Sequence, residues 1–189
     1  MMKKIISLFK RDYDSDRTVI DEVTPGAEWV QEGYGVATQK LDGTCCMVRD
    51  NKLYKRYTLR KKKFPPVGFE PVTEVDPKTG KQEGWVPVGI GPEDRWHREA
   101  FAVPFLGQKV IKHYDGTYEL LGPKVQGNPE NVGRHILMKH GTILLRPPRE
   151  YGELIQWFVG RDIEGIVWHH VHGRMVKIKK KDFGMKRED

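Results

Sequence analysis

Cysteine is scarce: the 189-residue chain has two, and they are neighbours, Cys45 and Cys46. Adjacent residues on a strand point to opposite faces, so a disulfide between them is strained. Two thiols with no suitably spaced histidine make no zinc framework either. The pattern excludes a disulfide scaffold and implies a reducing compartment, with the cytoplasm as the expected location. Long hydrophobic runs are also missing. In the N-terminal MMKKIISLFK the apolar stretch runs only from Ile5 to Phe9 and is closed by Lys10-Arg11-Asp12, too short for the core of a secretion signal. No window approaches a transmembrane span, so no membrane partner is expected. There is no internal repeat, and nothing implies a stable protein partner.

Charge and aromatic residues are present in quantity. Thirty-three Lys and Arg against 26 Asp and Glu give a net charge of +7, and aromatics make up 10% of the chain. The length suits one domain with a core of its own. A basic balance suits a polyanionic partner such as a nucleic acid or nucleotide, although it also serves plain solubility.

Along the chain, YGVATQKLDGTCCMV and KLYKRYTL read as strands around a two-residue Asp50-Asn51 turn, a hairpin signal. Residues 61–94, rich in Pro, Gly and Lys, read as a long loop or insertion. RWHREAFAV (95–103) predicts a helix. GTYELLGPKVQGNPE (116–130) predicts a strand entering a Gly/Pro/Asn loop, and HILMKHGTILL (135–145) is strand-like. Tyr151, Leu154, Ile155 and Phe158 are spaced as a helix face. EGIVWHH and RMVKIKKKDFG predict two final strands around His172-Gly173. The mixture predicts an α+β fold of antiparallel sheets flanked by helices.

Four separated stretches carry the chemistry: KLDG (40–43), YELLG (118–122), EGIVW (164–168) and VKIK (176–179). Each sets charged groups beside strand-forming apolar residues. Alternation in VKIK sends Lys177 and Lys179 to one face, which suits a wet surface or a bound polyanion such as a triphosphate. Taken singly, KLDG reads as a turn with a thiol behind it.

In order and wording these stretches resemble the motifs of the covalent nucleotidyltransferases, the DNA and RNA ligases and mRNA capping enzymes: K-x-D-G, an aromatic-Glu pair ahead of Gly, EGIVW, and VKIK. The phrases GVATQKLDGTCC, GTYELLGPKVQGNPE and EGIVWHH are similar to the small 5′-to-3′ RNA ligase family that includes the vertebrate enzymes, from about Ser7 to Phe183. The resemblance implies an ATP-grasp-like adenylation domain over residues 1–189 with no C-terminal OB-fold. It implies an ATP-dependent joining of 5′-phosphate and 3′-hydroxyl RNA ends. Lys40 would carry AMP, and Lys177 and Lys179 would hold the α-phosphate. Glu164 and Glu119 would serve Mg2+ (or Mn2+) and the nucleotide, and Gln39, Leu41, Arg56 and His140 would line the nucleotide site. A lysine attacks only as the free amine, a form that nearby cations favour. The basic runs 55–63 and 177–187 would track the RNA backbone.

Two departures sharpen the reading. Cys45 stands where DNA ligases carry Arg, and Gln39 stands where relatives often carry Glu. The competing readings are a nick-sealing ligase of DNA or hybrid duplexes and an RNA-binding module of the same fold without chemistry. His170 and His172 could share a metal, but a hairpin end is the simpler reading, and the tryptophans read as core.

Overall fold

The computed structural model describes residues 5–102 and 113–189. The strands are β1 (Ile6–Ser7), β2 (Phe9–Arg11), β3 (Val19–Val23), β4 (Val36–Lys40), β5 (Thr44–Arg49), β6 (Lys52–Leu59), β7 (Glu70–Pro71), β8 (Gln82–Pro87), β9 (Gly116–Leu121), β10 (Ile136–Lys139), β11 (Leu144–Leu145), β12 (Gly165–His169) and β13 (Met175–Lys179). The α-helices are α1 (Glu28–Gln31), α2 (Arg95–Phe101) and α3 (Tyr151–Phe158). The fold is therefore α+β, with the strand pairs antiparallel except for β1 beside β13, which is parallel. Among the described residues no helix is long and apolar enough to cross a membrane. The described residues divide into two compact units, one built from residues 5–41 and 141–189, the other from 42–102 and 113–140.

The first unit holds a five-stranded sheet in the order β1-β13-β12-β4-β11 and the small β2-β3 ribbon. One face of the sheet is apolar by strand alternation: Ala37, Ile166, Trp168, Val176 and Ile178 are all buried. Leu154 and Phe158 of α3 and Trp29 and Val30 of α1 close over that core. Of the four positions whose spacing predicts α3, Leu154 and Phe158 are fully buried and Tyr151 packs against the same core, and each large side chain fully buried contributes about 1.5–3 kcal/mol. Leu8 and Phe9, from the apolar run near the N-terminus, are fully buried in the same core.

The second unit holds a six-stranded sheet, β10-β9-β5-β6-β8-β7. The β5–β6 hairpin turns through Asp50 and Asn51, at φ +50° and +55°, the backbone of a two-residue turn whose twist matches the strands. Cys46, Val48, Tyr118 and Leu120 form the inner face and pack with Ala100 of α2. Two expectations change here. Residues 61–94 are not one loop: β8 supplies six residues that pair with β6 from Tyr54 to Leu59. Gly84 inside it explains why the pattern hides the strand, since a Cβ there would lie 2.3 Å from the Phe69 ring. HILMKHGTILL is not one strand either. It divides at Gly141 (φ +81°) into β10 and β11, which belong to different sheets.

Candidate active site

In the first unit, three neighbouring strands bring the predicted lysines into register. Lys40 at the end of β4 is opposite Gly165 at the start of β12, and Gly165 is opposite Lys179 at the end of β13. Thr38, Val167 and Lys177 form the next row that faces the same way. This is the sheet face opposite the apolar core, so the alternation that buries Val176 and Ile178 sends Lys177 and Lys179 to the Lys40 side. Gly165 separates the two lysine strands at close range: a Cβ there would meet the Ile178 carbonyl oxygen at 2.3 Å and the Lys179 Cα at 2.9 Å.

Glu164 ties the cluster together. Its Oε2 accepts from the Lys40 ammonium and its Oε1 from the Lys179 ammonium at 2.5 Å. Its own carbonyl accepts the Lys180 amide at 2.9 Å, fixing the residue to the chain leaving β13. Asp182 accepts the Lys179 amide at 3.0 Å and the Arg11 guanidinium at 2.5 Å, which fixes the end of that strand. Burial pushes the Glu164 carboxyl up, but the charge of Lys40 and the hydrogen bonds from Lys179 and Lys40 outweigh it, and the net shift is downward. Lys177 is held below the usual lysine range by burial, then by the charges of Lys179 and Lys40, with Asp182 and Glu164 opposing. The three ammonium groups face two carboxylates, Glu164 and Asp182, the second of which also pairs with Arg11, so the cluster keeps excess positive charge.

Gln39 alternates to the other face of β4, in register with Ile166, and its amide donates to the Ile143 carbonyl at 2.9 Å. Leu41 is buried.

In the second unit, Glu119 is a buried carboxylate on β9, opposite Cys45 on β5. Its Oε1 accepts the Gly43 amide at 3.2 Å, and its Oε2 lies 2.7 Å from His140 Nε2. His140 Nδ1 lies 3.0 Å from the Thr117 hydroxyl. The glycine of KLDG is dictated by this approach, because a Cβ on Gly43 would sit 2.2 Å from the Leu120 carbonyl oxygen. Arg56 on β6 donates from Nε to Glu83 at 3.1 Å and stacks over Trp85, with Nη1 buried and without a hydrogen-bond partner among the described residues. Lys55, its sequence neighbour, is committed to buried Asp94 at 2.5 Å. Cys46 is fully buried, and burial pushes its thiol well up, as suits a small apolar core residue. His170 and His172 sit at the exposed β12–β13 turn, with ring centroids 5.0 Å apart.

Sequence reasoning missed one grouping. The ligand atoms of Cys45, Glu119 and His140 all lie within 4.8 Å of one another. They come from two strands and the residue after a third, so no local spacing reveals them. The available signal is alternation: Cys46 and Tyr118 face the core, which turns Cys45 and Glu119 together to the other face.

The sequence is similar to known proteins. The sequence model of the RNA ligase 1 family matches residues 102–189. The chain is close to the RNA ligase 1 family. RNA ligase 1 of Rattus norvegicus is 27% identical over an alignment of 219 positions, which covers 79% of this chain and 67% of the relative. The Mus musculus protein of that name matches with the same identity and coverage. The Danio rerio RNA ligase 1 is 27% identical over 248 positions, covering 94% of this chain and 76% of the relative. The stretch matched to the RNA ligase 1 family includes Glu119, His140, Glu164, Lys177 and Lys179, while Lys40 precedes it.

Proposed function

We propose that the chain is an ATP-dependent RNA ligase of the covalent nucleotidyltransferase type, with an ATP-grasp-like adenylation fold. One observation carries the reading: Lys40, Lys177 and Lys179 converge around Glu164 on one sheet face, an excess of positive charge placed where a triphosphate could bind. The similarity to proteins named RNA ligase 1 supports it.

In this account Lys40 is the nucleophile. Its free amine attacks the α-phosphorus of ATP, a nitrogen–phosphorus bond forms, the bond to pyrophosphate breaks, and the amine proton leaves. Glu164 accepts a hydrogen bond from Lys40 in the resting site, and so orients the amine. Lys177 and Lys179 neutralise the charge that grows on the α-phosphate oxygens. AMP then passes from Lys40 to an RNA 5′-phosphate, and a 3′-hydroxyl displaces it to seal the strand. Mg2+ or Mn2+ suits Glu164 by donor chemistry: each carboxylate oxygen has two lone pairs, and the lysines occupy one on each. Such an ion would add charge neutralisation at the phosphates. Glu119, Arg56, His140, Gln39 and Leu41 keep the nucleotide-contacting roles that the resemblance implies, and the protein works in the cytoplasm.

The test is strand joining. Given ATP and Mg2+, the protein should join RNA bearing a 5′-phosphate to RNA bearing a 3′-hydroxyl, with AMP released. Efficient sealing of nicked DNA with no joining of RNA would replace the RNA reading with a DNA one. RNA binding without joining of either would leave only a binding module.

A further inference from the structure

We infer that Cys45, Glu119 and His140 form a binding site for a zinc-like divalent transition metal, separate in chemistry from the ion that serves phosphate transfer. The inference rests on the geometry of the second unit alone; because Glu119 and His140 also carry proposed nucleotide-contacting roles, a metal bound here and a nucleotide contacting those side chains would exclude each other.

The donor set comes first. A thiolate, an imidazole and a carboxylate select zinc or a similar borderline metal over magnesium, which requires oxygen ligands. The three ligand atoms already lie within 4.8 Å of one another. On a tetrahedral zinc such atoms would be about 3.3–3.6 Å apart, so closure takes side-chain adjustments of roughly an ångström. Three protein ligands leave a fourth position for water or an incoming group.

The surroundings are built for the purpose. The Gly43 amide holds Glu119 Oε1 at 3.2 Å and leaves Oε2 facing His140. Thr117 lies 3.0 Å from His140 Nδ1, and its hydroxyl can either donate or accept. His140 can therefore give up the Nε2 proton to make room for a metal, take the other tautomer, and donate Nδ1–H to Thr117 without losing a partner. This is the orienting hydrogen bond that ligating histidines need on their far nitrogen. Cys45 and Glu119 are directly paired across β5 and β9, and Cys45 is half-buried. The metal would displace the thiol proton to solvent, while the imidazole proton sits on Nδ1 and Nε2 is left free to ligate.

The experiment is a titration of reduced, chelator-treated protein with Co2+, followed by Zn2+. The expected result is one equivalent bound, with the near-ultraviolet thiolate-to-cobalt charge-transfer band and the visible bands of a four-coordinate ion, lost on adding Zn2+ but not on adding excess Mg2+. Cys45→Ser should abolish the charge-transfer band, whereas Cys46→Ala should keep it. Thr117→Val should weaken binding about tenfold or more through the histidine tautomer. Zn2+ should also protect the Cys45 thiol of the unmutated protein from alkylation, a readout that needs no variant to fold. Visible bands without charge transfer would place the ion at the exposed His170-His172 turn and overturn the inference. So would charge transfer that survives Cys45→Ser, or a Cys45 thiol alkylated equally fast with and without Zn2+.

Discussion

Removing the charge of Glu164 tests the electrostatic core of the account. The side chain is 11% exposed and accepts from Lys40 and Lys179, whose side chains are 23% and 20% exposed. A hydrogen bond to a charged group is worth about 1.5–3 kcal/mol, and a fully exposed ion pair about 0.2–1 kcal/mol. Glu164→Gln keeps the shape and one acceptor but loses the charge, and the freed lysines can turn partly to solvent. The net loss should be about 2 kcal/mol, which in a chain of this size lowers Tm by about 4–8 °C. Thermal unfolding at neutral pH, wild type against variant, reads it directly. The pH dependence gives the sign. The Glu164 carboxyl is depressed below its ordinary 4.5 in the folded chain. Its contribution is therefore full above 4.5 and is lost as pH falls through the depressed folded value, so the gap between the two proteins should close in acid. A gap under about 0.5 kcal/mol at neutral pH, or one that persists unchanged in acid, would refute the reasoning.

Lys177→Met should raise stability at neutral pH by up to about 1 kcal/mol while weakening triphosphate binding, checked by denaturant unfolding and ATP titration; burial and two like charges disfavour the native ammonium, so the wild type gains stability as pH rises through the depressed native value toward the ordinary 10.5. Gly43→Ala should cost about 1–3 kcal/mol, read by denaturant unfolding, because its Cβ would meet the Leu120 carbonyl oxygen at 2.2 Å. Lys180→Met should cost about 2 kcal/mol and loosen the C-terminal residues in hydrogen exchange, since this fully buried lysine donates to the carbonyls of Arg161, Arg187 and Asp189.

Elements whose sequence pattern matches their burial were legible. The Asp50-Asn51 turn, α3 and the VKIK strand each show their period directly, and the alternation in VKIK places its two lysines on the face the structure gives them. β8 was hidden because its interior glycine, a close-packing requirement of Phe69, reads as a loop residue. The break at Gly141 was hidden because apolar residues continue on both sides of it. Within the site, the ordered motifs identify Lys40, Glu164 and Lys179, yet their shared register depends on the pairing of β4 with β12, a contact between residues more than a hundred positions apart. The Cys45-Glu119-His140 grouping is non-local in the same way.

The central claim is that Lys40 is a covalent carrier of AMP. Incubating the protein with ATP and Mg2+, then mapping the adduct by mass spectrometry, tests it most directly. One AMP should be added to the peptide that contains Lys40, stable to high salt and absent from Lys40→Ala. A folded wild-type protein that gains no adduct, or a Lys40→Ala variant that gains the same one, would contradict it.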